Sequence, residues 1–183
     1  EEAYVESLEG GFLNNTFFKF GRAFWNVGVL NPQHAHADDF ADRPLPYRVF
    51  LNKAYNDDGL ESAYLLDSSE IGLGFFRGED FPFGNTAASE GDGSNAWSVY
   101  YKSNLNLSKS ERLAFNLYHL AGISKSPNAR VSNEDNVTFS GDSDLSIINL
   151  DYENSYDNNK KFKISAEYFY INQVVIREEL LGK

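Results

Sequence analysis

Two imidazoles stand two residues apart in His34-Ala35-His36, with Asp38 and Asp39 just beyond. In an extended chain that spacing puts both rings on one side, and neutral imidazole with carboxylate suits zinc or nickel. His34, His36 and Asp38 are therefore candidate metal ligands, with zinc or another divalent ion as the only cofactor suggested. Two histidines hydrogen-bonded inside a packed loop would show the same spacing. Around them, Arg22, Arg43 and Arg48 flank Asp38, Asp39, Asp42, Asp57 and Asp58. Charges at that density either pin a loop to a wall as ion pairs or line a constriction that selects solutes.

Catalytic signatures are missing from the chain. It has no G-x-S-x-G elbow, no H-E-x-x-H and no P-loop. Gly72-Leu73-Gly74-Phe75-Phe76-Arg77-Gly78 lacks the spacing of a dinucleotide loop, and no helical pattern follows it. Glycines at alternate strand positions instead mark a face that another element approaches closely, and an inward loop is the natural candidate. The chain is read as a non-enzyme with no catalytic residue.

The chemistry-bearing residues lie in a long connection between strand-like segments. Pro32, Pro44 and Pro46 keep the residues before them extended, and only Tyr47 to Leu51 has room for a helical turn or two. Trp25, Val27, Val29 and Leu30 are too apolar to dangle in water, so residues 26–53 are expected to fold inward. Asn56-Asp57-Asp58-Gly59 reads as a turn.

Strand candidates surround that loop: 3–8, 16–24, 60–66, 70–77, 97–106, 112–118, 147–153 and 161–170. Alternation sends Trp97, Val99, Leu113, Phe115, Leu117, Ile148, Leu150, Ile164 and Tyr168 to one face. Ser98, Tyr100, Lys102, Asn104, Arg112, Asn116, Asp151 and Lys163 go to the other. Turns at 67–69, 108–110 and 157–159 are short, whereas 79–95 and 124–143 are long, polar and expected to be exposed. Transmembrane barrels sort their connections this way, short on one side and long on the other.

Composition narrows the class. A net charge of −11 from 16 Lys+Arg and 27 Asp+Glu argues against nucleic acid, which demands a basic stripe. No apolar run approaches the roughly 18 residues of a spanning helix, but a mean hydropathy of −0.47 is also what an alternating barrel shows. Aromatics make up 15% of the chain, which favours strands. Lacking cysteine, it has neither disulfides nor thiolate metal sites. Lacking methionine even at position 1, it is expected to be a processed form or a fragment.

The stretch GRAFWNVGVLNPQHAHADDFADRPLPYRVFLNKAYNDDG resembles the signature of a family of Gram-negative outer-membrane β-barrel proteins, porin-like or described as zinc-regulated relatives of TonB-dependent receptors. EEAYVESL before it, and FFRGEDFP, FSGDSDL and AEYFY after it, are landmarks of the same family in the same order. The resemblance implies residence in the bacterial outer membrane, further strands on both sides, and passage of a small solute, with a link to metal uptake.

The fold expectation is thus all-β: an antiparallel up-and-down transmembrane β-barrel of about eight visible strands, part of a larger barrel. Residues 1–183 would form one barrel domain or barrel fragment. Arg22, Asp38, Asp39, Arg43, Arg48, Lys102 and Arg112 are the candidate constriction or solute-binding residues. Expected partners are outer-membrane lipid and a small solute or metal ion, with homo-oligomerisation left open. The alternative is a soluble β-sandwich or jelly-roll module whose aromatics line a ligand groove.

Overall fold

The structure is a computed structural model that describes residues 2–7, 14–34, 38, 42–83, 96–124, 130–132, 135–137, 141–157 and 160–175. In chain order the elements are β1 (Ala3–Glu6), β2 (Thr16–Phe24), α1 (Leu45–Phe50), β3 (Asn56–Leu65), β4 (Ser69–Phe76) and β5 (Ala96–Asn106). Then follow β6 (Glu111–Ser124), β7 (Arg130–Ser132), β8 (Asp135–Val137), β9 (Gly141–Asp157) and β10 (Lys160–Val175). The fold is all-β. Eight strands form one antiparallel sheet in the order β1-β2-β3-β4-β5-β6-β9-β10, and β7 pairs only with β8. Every strand of the large sheet lies beside its sequence neighbours once the β7-β8 hairpin is passed over, so the sandwich or jelly-roll crossover is not found among the described residues.

Register carries the alternation across the sheet. Leu117 lies opposite Ile148, which lies opposite Tyr168, while Phe115 faces Leu150 and Leu113 faces Tyr152, itself opposite Ile164. Phe75 continues the same face opposite Trp97. The expected single apolar face is therefore formed, but it is not the core. Ile148 on the internal strand β9 stays 45% exposed and Leu150 48%, and Tyr168 on β10 reaches 62%.

The core lies on the other, inner face. There Tyr100, Tyr118 and Ile147 follow one another across β5, β6 and β9, and Leu120 and Leu145 stand one rung away. All five are buried beneath a loop that contributes Trp25, Val27, Tyr47, Leu51 and Tyr55. Further along the strands the inner face turns polar, through Lys102, Asn116, Asn149 and Glu167, then Arg112, Glu153 and Lys163.

The connections are sorted by end. The three longest, 25–55, 77–95 and 125–140, all leave from one end of the sheet, whereas 7–15, 66–68, 107–110 and 158–159 lie at the other. The expected closed barrel goes further than this sheet, whose edges are β1 and β10 with no pairing between them among the described residues.

Several boundaries move. Asn56 to Gly59, read as a turn, begins β3, because burial gives the polar side chain partners that a turn would have supplied. The Asp57 carboxylate accepts hydrogen bonds from the Tyr55 hydroxyl (3.0 Å) and the Asp58 and Gly78 N–H groups (2.8 and 2.7 Å). β9 starts at Gly141 and buries Ser143, so the loop expected at 124–143 is shorter. Phe83, inside the expected exposed loop 79–95, is buried against Tyr55, and 84–95 lie outside the described residues. The alternate glycines are approached by neighbouring side chains rather than by the loop. A Cβ on Gly72 would stand 2.2 Å from the Tyr100 ring, and one on Gly74 would stand 2.4 Å from Phe76.

Candidate functional site

The site is the loop between β2 and β3 and the inner face beneath it. Asn31 closes the loop on itself from a fully buried position. Its Nδ2 donates to the Trp25 carbonyl (2.8 Å) and the Tyr55 carbonyl (2.9 Å), and its Oδ1 accepts the Tyr55 N–H at 2.6 Å. The indole of Trp25 donates to the Asp57 carbonyl at 2.9 Å, so both ends of the loop are fixed to the start of β3.

From that base the loop reaches across the sheet. The Asn26 N–H donates to Glu61 on β3 (3.2 Å), and Lys102 on β5 donates to the Asn26 side-chain oxygen (2.5 Å). Three residues later the Val29 N–H donates to Glu167 on β10 at 3.2 Å, and the same carboxylate accepts the Tyr47 hydroxyl at 2.9 Å. The Tyr47 oxygen in turn accepts the Leu30 N–H at 3.0 Å. Burial, reinforced by the charge of Glu167, holds the Tyr47 phenol above its ordinary pKa, so it stays a donor.

These anchors constrain the shape of the sheet. From β3 to β10 there are five inter-strand gaps, about 24 Å in a flat sheet. Residues 26 to 29 extend at most about 11 Å. Two hydrogen bonds near 3 Å do not make up the difference if the carboxylates stand upright on their strands. The sheet therefore curls around the loop.

Two cavities flank the loop and share Pro32. One, of about 300 Å³, is bounded by Gly28, Val29 and Pro32 above and by Lys102, Asn104, Arg112, Asn116, Asp151, Glu153 and Lys163 on the strands. The other, of about 400 Å³, lies toward β1–β5 and is lined by Glu6, Lys19, Glu61, Glu70, Asn26, Tyr100 and Phe24 among others. Charged walls around spaces of this size can bind or sort small polar solutes, and among the described residues no nucleophile–base pair stands in either.

Of the residues singled out from the sequence, Lys102 and Arg112 line the first cavity. Arg43 and Asp38 do not join them. They pair with each other at 2.9 Å, both buried, and Arg43 also donates to the Lys53 and Gln33 carbonyls, which makes it an internal brace of the loop. Arg22 shares strand parity with the outer face and pairs with Asp58 and Asp80 near the loop end of the sheet. Arg48 is exposed on the last turn of α1. Asp39 and His36 lie outside the described residues.

The metal set does not assemble among the described residues. His34 Nε2 stands 3.0 Å from Glu2 with its ring edge-on to Phe24, Asp38 is held by Arg43, and no group of three ligand-type side chains converges. Sequence reasoning missed Asn26, Asn31, Tyr47, Glu61 and Glu167 as anchors. The one available signal was a carboxylate on the buried-side register of β3 and β10. Compared with known proteins, the chain matches no family model, no curated protein and no solved structure.

Proposed function

We propose that this chain is part of an outer-membrane β-barrel of a Gram-negative bacterium, porin-like or receptor-like, which passes a small polar solute past an inward-folded loop. One observation carries the reading: the outer face of the sheet is apolar and open. Large apolar side chains stay exposed on the central strands, as Phe115, Ile148 and Leu150 do, while the face that the loop covers holds the apolar core at the loop end and carboxylates, amides and lysines further along. A lipid-facing exterior and a wet, partly plugged interior account for both faces.

Three features support it. The three longest connections gather at one end of the sheet, the sheet curls around its loop, and the loop is fastened by buried polar bonds. Closure in lipid would pair the free edges of β1 and β10, with each other, with further strands, or with another copy, because an open edge in hydrocarbon leaves backbone groups unsatisfied. Since His34 and Asp38 have other partners, the solute is read as a hydrated ion or polar organic molecule rather than a metal held by these side chains. No catalytic role is proposed.

The test is membrane fractionation with reconstitution. The chain should co-fractionate with outer membrane, require detergent for extraction, and render lipid vesicles permeable to small solutes. A monodisperse, folded protein in plain buffer would favour a soluble module that docks its apolar face on a partner.

A further inference from the structure

The loop does more than narrow the interior. Its segment from Asn26 to Pro32 is bonded to β3 and β5 at one end and to β10 further on, so it stands as a partition with a cavity on either side. The loop's own buried charges, Arg43 and Asp38, are spent on each other. What each cavity presents to a solute is therefore set by the strand walls.

Those walls differ in sign. On the β5–β10 side, among the described residues, Arg112 donates to the neutral Asn104 side chain and to no carboxylate, and Lys163 on β10 lies within the same lining. The acids there are outnumbered. Glu153 pairs with Lys161 at 3.0 Å, and Asp151, whose hydrogen bonds from the neutral Asn149 and Ser165 do not cancel its charge, stands against both Arg112 and Lys163. On the β1–β5 side the lining carries Glu6, Glu61 and Glu70 against Lys19, and since Glu70 pairs with Lys102 at 3.6 Å, Glu6 and Glu61 are the acids in excess. Lys19 is turned onto the Tyr4 ring, 4.2 Å from its centroid, and donates to the Phe24 carbonyl, while the rings of Phe24 and Tyr100 also border the space. Carboxylates beside aromatic faces attract cations, and uncompensated guanidinium and ammonium groups attract carboxylate or phosphate.

We infer that the loop divides the interior into two routes of opposite preference, one for small organic anions past Arg112 and Lys163, the other for small organic cations past Glu6 and Glu61. This rests on the conduit proposed above. In a narrow, low-dielectric passage a few fixed charges change local ion concentration about tenfold, so removing them should be read directly in flux.

The experiment uses the full chain in lipid vesicles, with succinate and choline as probes taken up in parallel. Arg112→Gln with Lys163→Gln should lower succinate uptake about tenfold and leave choline uptake unchanged. Glu6→Gln should do the reverse, lowering choline uptake several-fold and leaving succinate uptake unchanged. Circular dichroism confirms that each variant keeps its β content. Parallel loss of both probes in either variant, or loss of neither, would overturn the two routes while leaving a conduit. Vesicles with the unmodified protein that admit neither probe would overturn the conduit and the routes with it.

Discussion

Replacing Asn31 by alanine should undo the loop. The side chain is fully buried and makes three hydrogen bonds of 2.6 to 2.9 Å, two from Nδ2 and one to Oδ1, and all three go to the backbone of Trp25 and Tyr55. A net contribution of about 1 kcal/mol per bond gives a loss of about 3 kcal/mol. The loss should not fall below this because the orphaned carbonyls and N–H are buried and alanine offers no polar atom in place of the amide. At about 1.4 kcal/mol per decade, the population with an undocked loop should rise roughly a hundredfold. Trp25 reports it, being fully buried at the clamp, whereas Trp97 is 42% exposed on the opposite face. In a Trp97→Phe background in detergent micelles, urea titration of Trp25 fluorescence should show a lower midpoint for Asn31→Ala. A change under about 0.5 kcal/mol, the scatter of an ordinary surface substitution, would refute the clamp.

Further outcomes are expected from the same geometry. Gly72→Ala should destabilise by about 1 to 3 kcal/mol, because its Cβ meets the Tyr100 ring at 2.2 Å, and Tyr100→Ala should recover part of the loss in thermal melts. Burial and Glu167 raise the Tyr47 pKa, so its stabilising contribution is complete below the unfolded value of 10.0 and declines only as pH climbs beyond it. Tyr55, Tyr100 and Tyr118 are buried as well. Absorbance at 295 nm should therefore show a late-titrating amplitude to which Tyr47 contributes, and it should fall by about one tyrosine's share in Tyr47→Phe. Ile148→Lys, placed mid-strand on the outer face, should cost about 2 to 4 kcal/mol in lipid and reduce membrane assembly, scored by the folded fraction on unboiled gels.

Alternation made the sheet legible because each strand carries its own period, and Trp97, Phe115, Leu117 and Ile148 can be assigned to a face one strand at a time. The ends of strands were less legible. Asp57 and Asp58 look like turn residues until Tyr55 and Gly78 are known to satisfy the carboxylate. The anchors were hidden for a different reason. Glu167 meets Val29 across 138 residues and Tyr47 across 120, and only the curl of the sheet brings them together. The charge cluster left two readings open, ion pairs that hold a loop or a constriction, and Arg43 and Asp38, close in sequence, take the first by satisfying each other inside the loop.

The most direct test of the outward apolar face is whether lipid touches it. Trp97 stands on that face opposite Phe75, and Trp25 lies beneath the loop on the other side. In vesicles whose acyl chains carry bromine near the headgroup, tryptophan emission should be partly quenched, and Trp97→Phe should abolish the quenching. Emission untouched by brominated lipid but quenched at Trp97 by acrylamide in the aqueous phase would place that face in water and contradict the barrel.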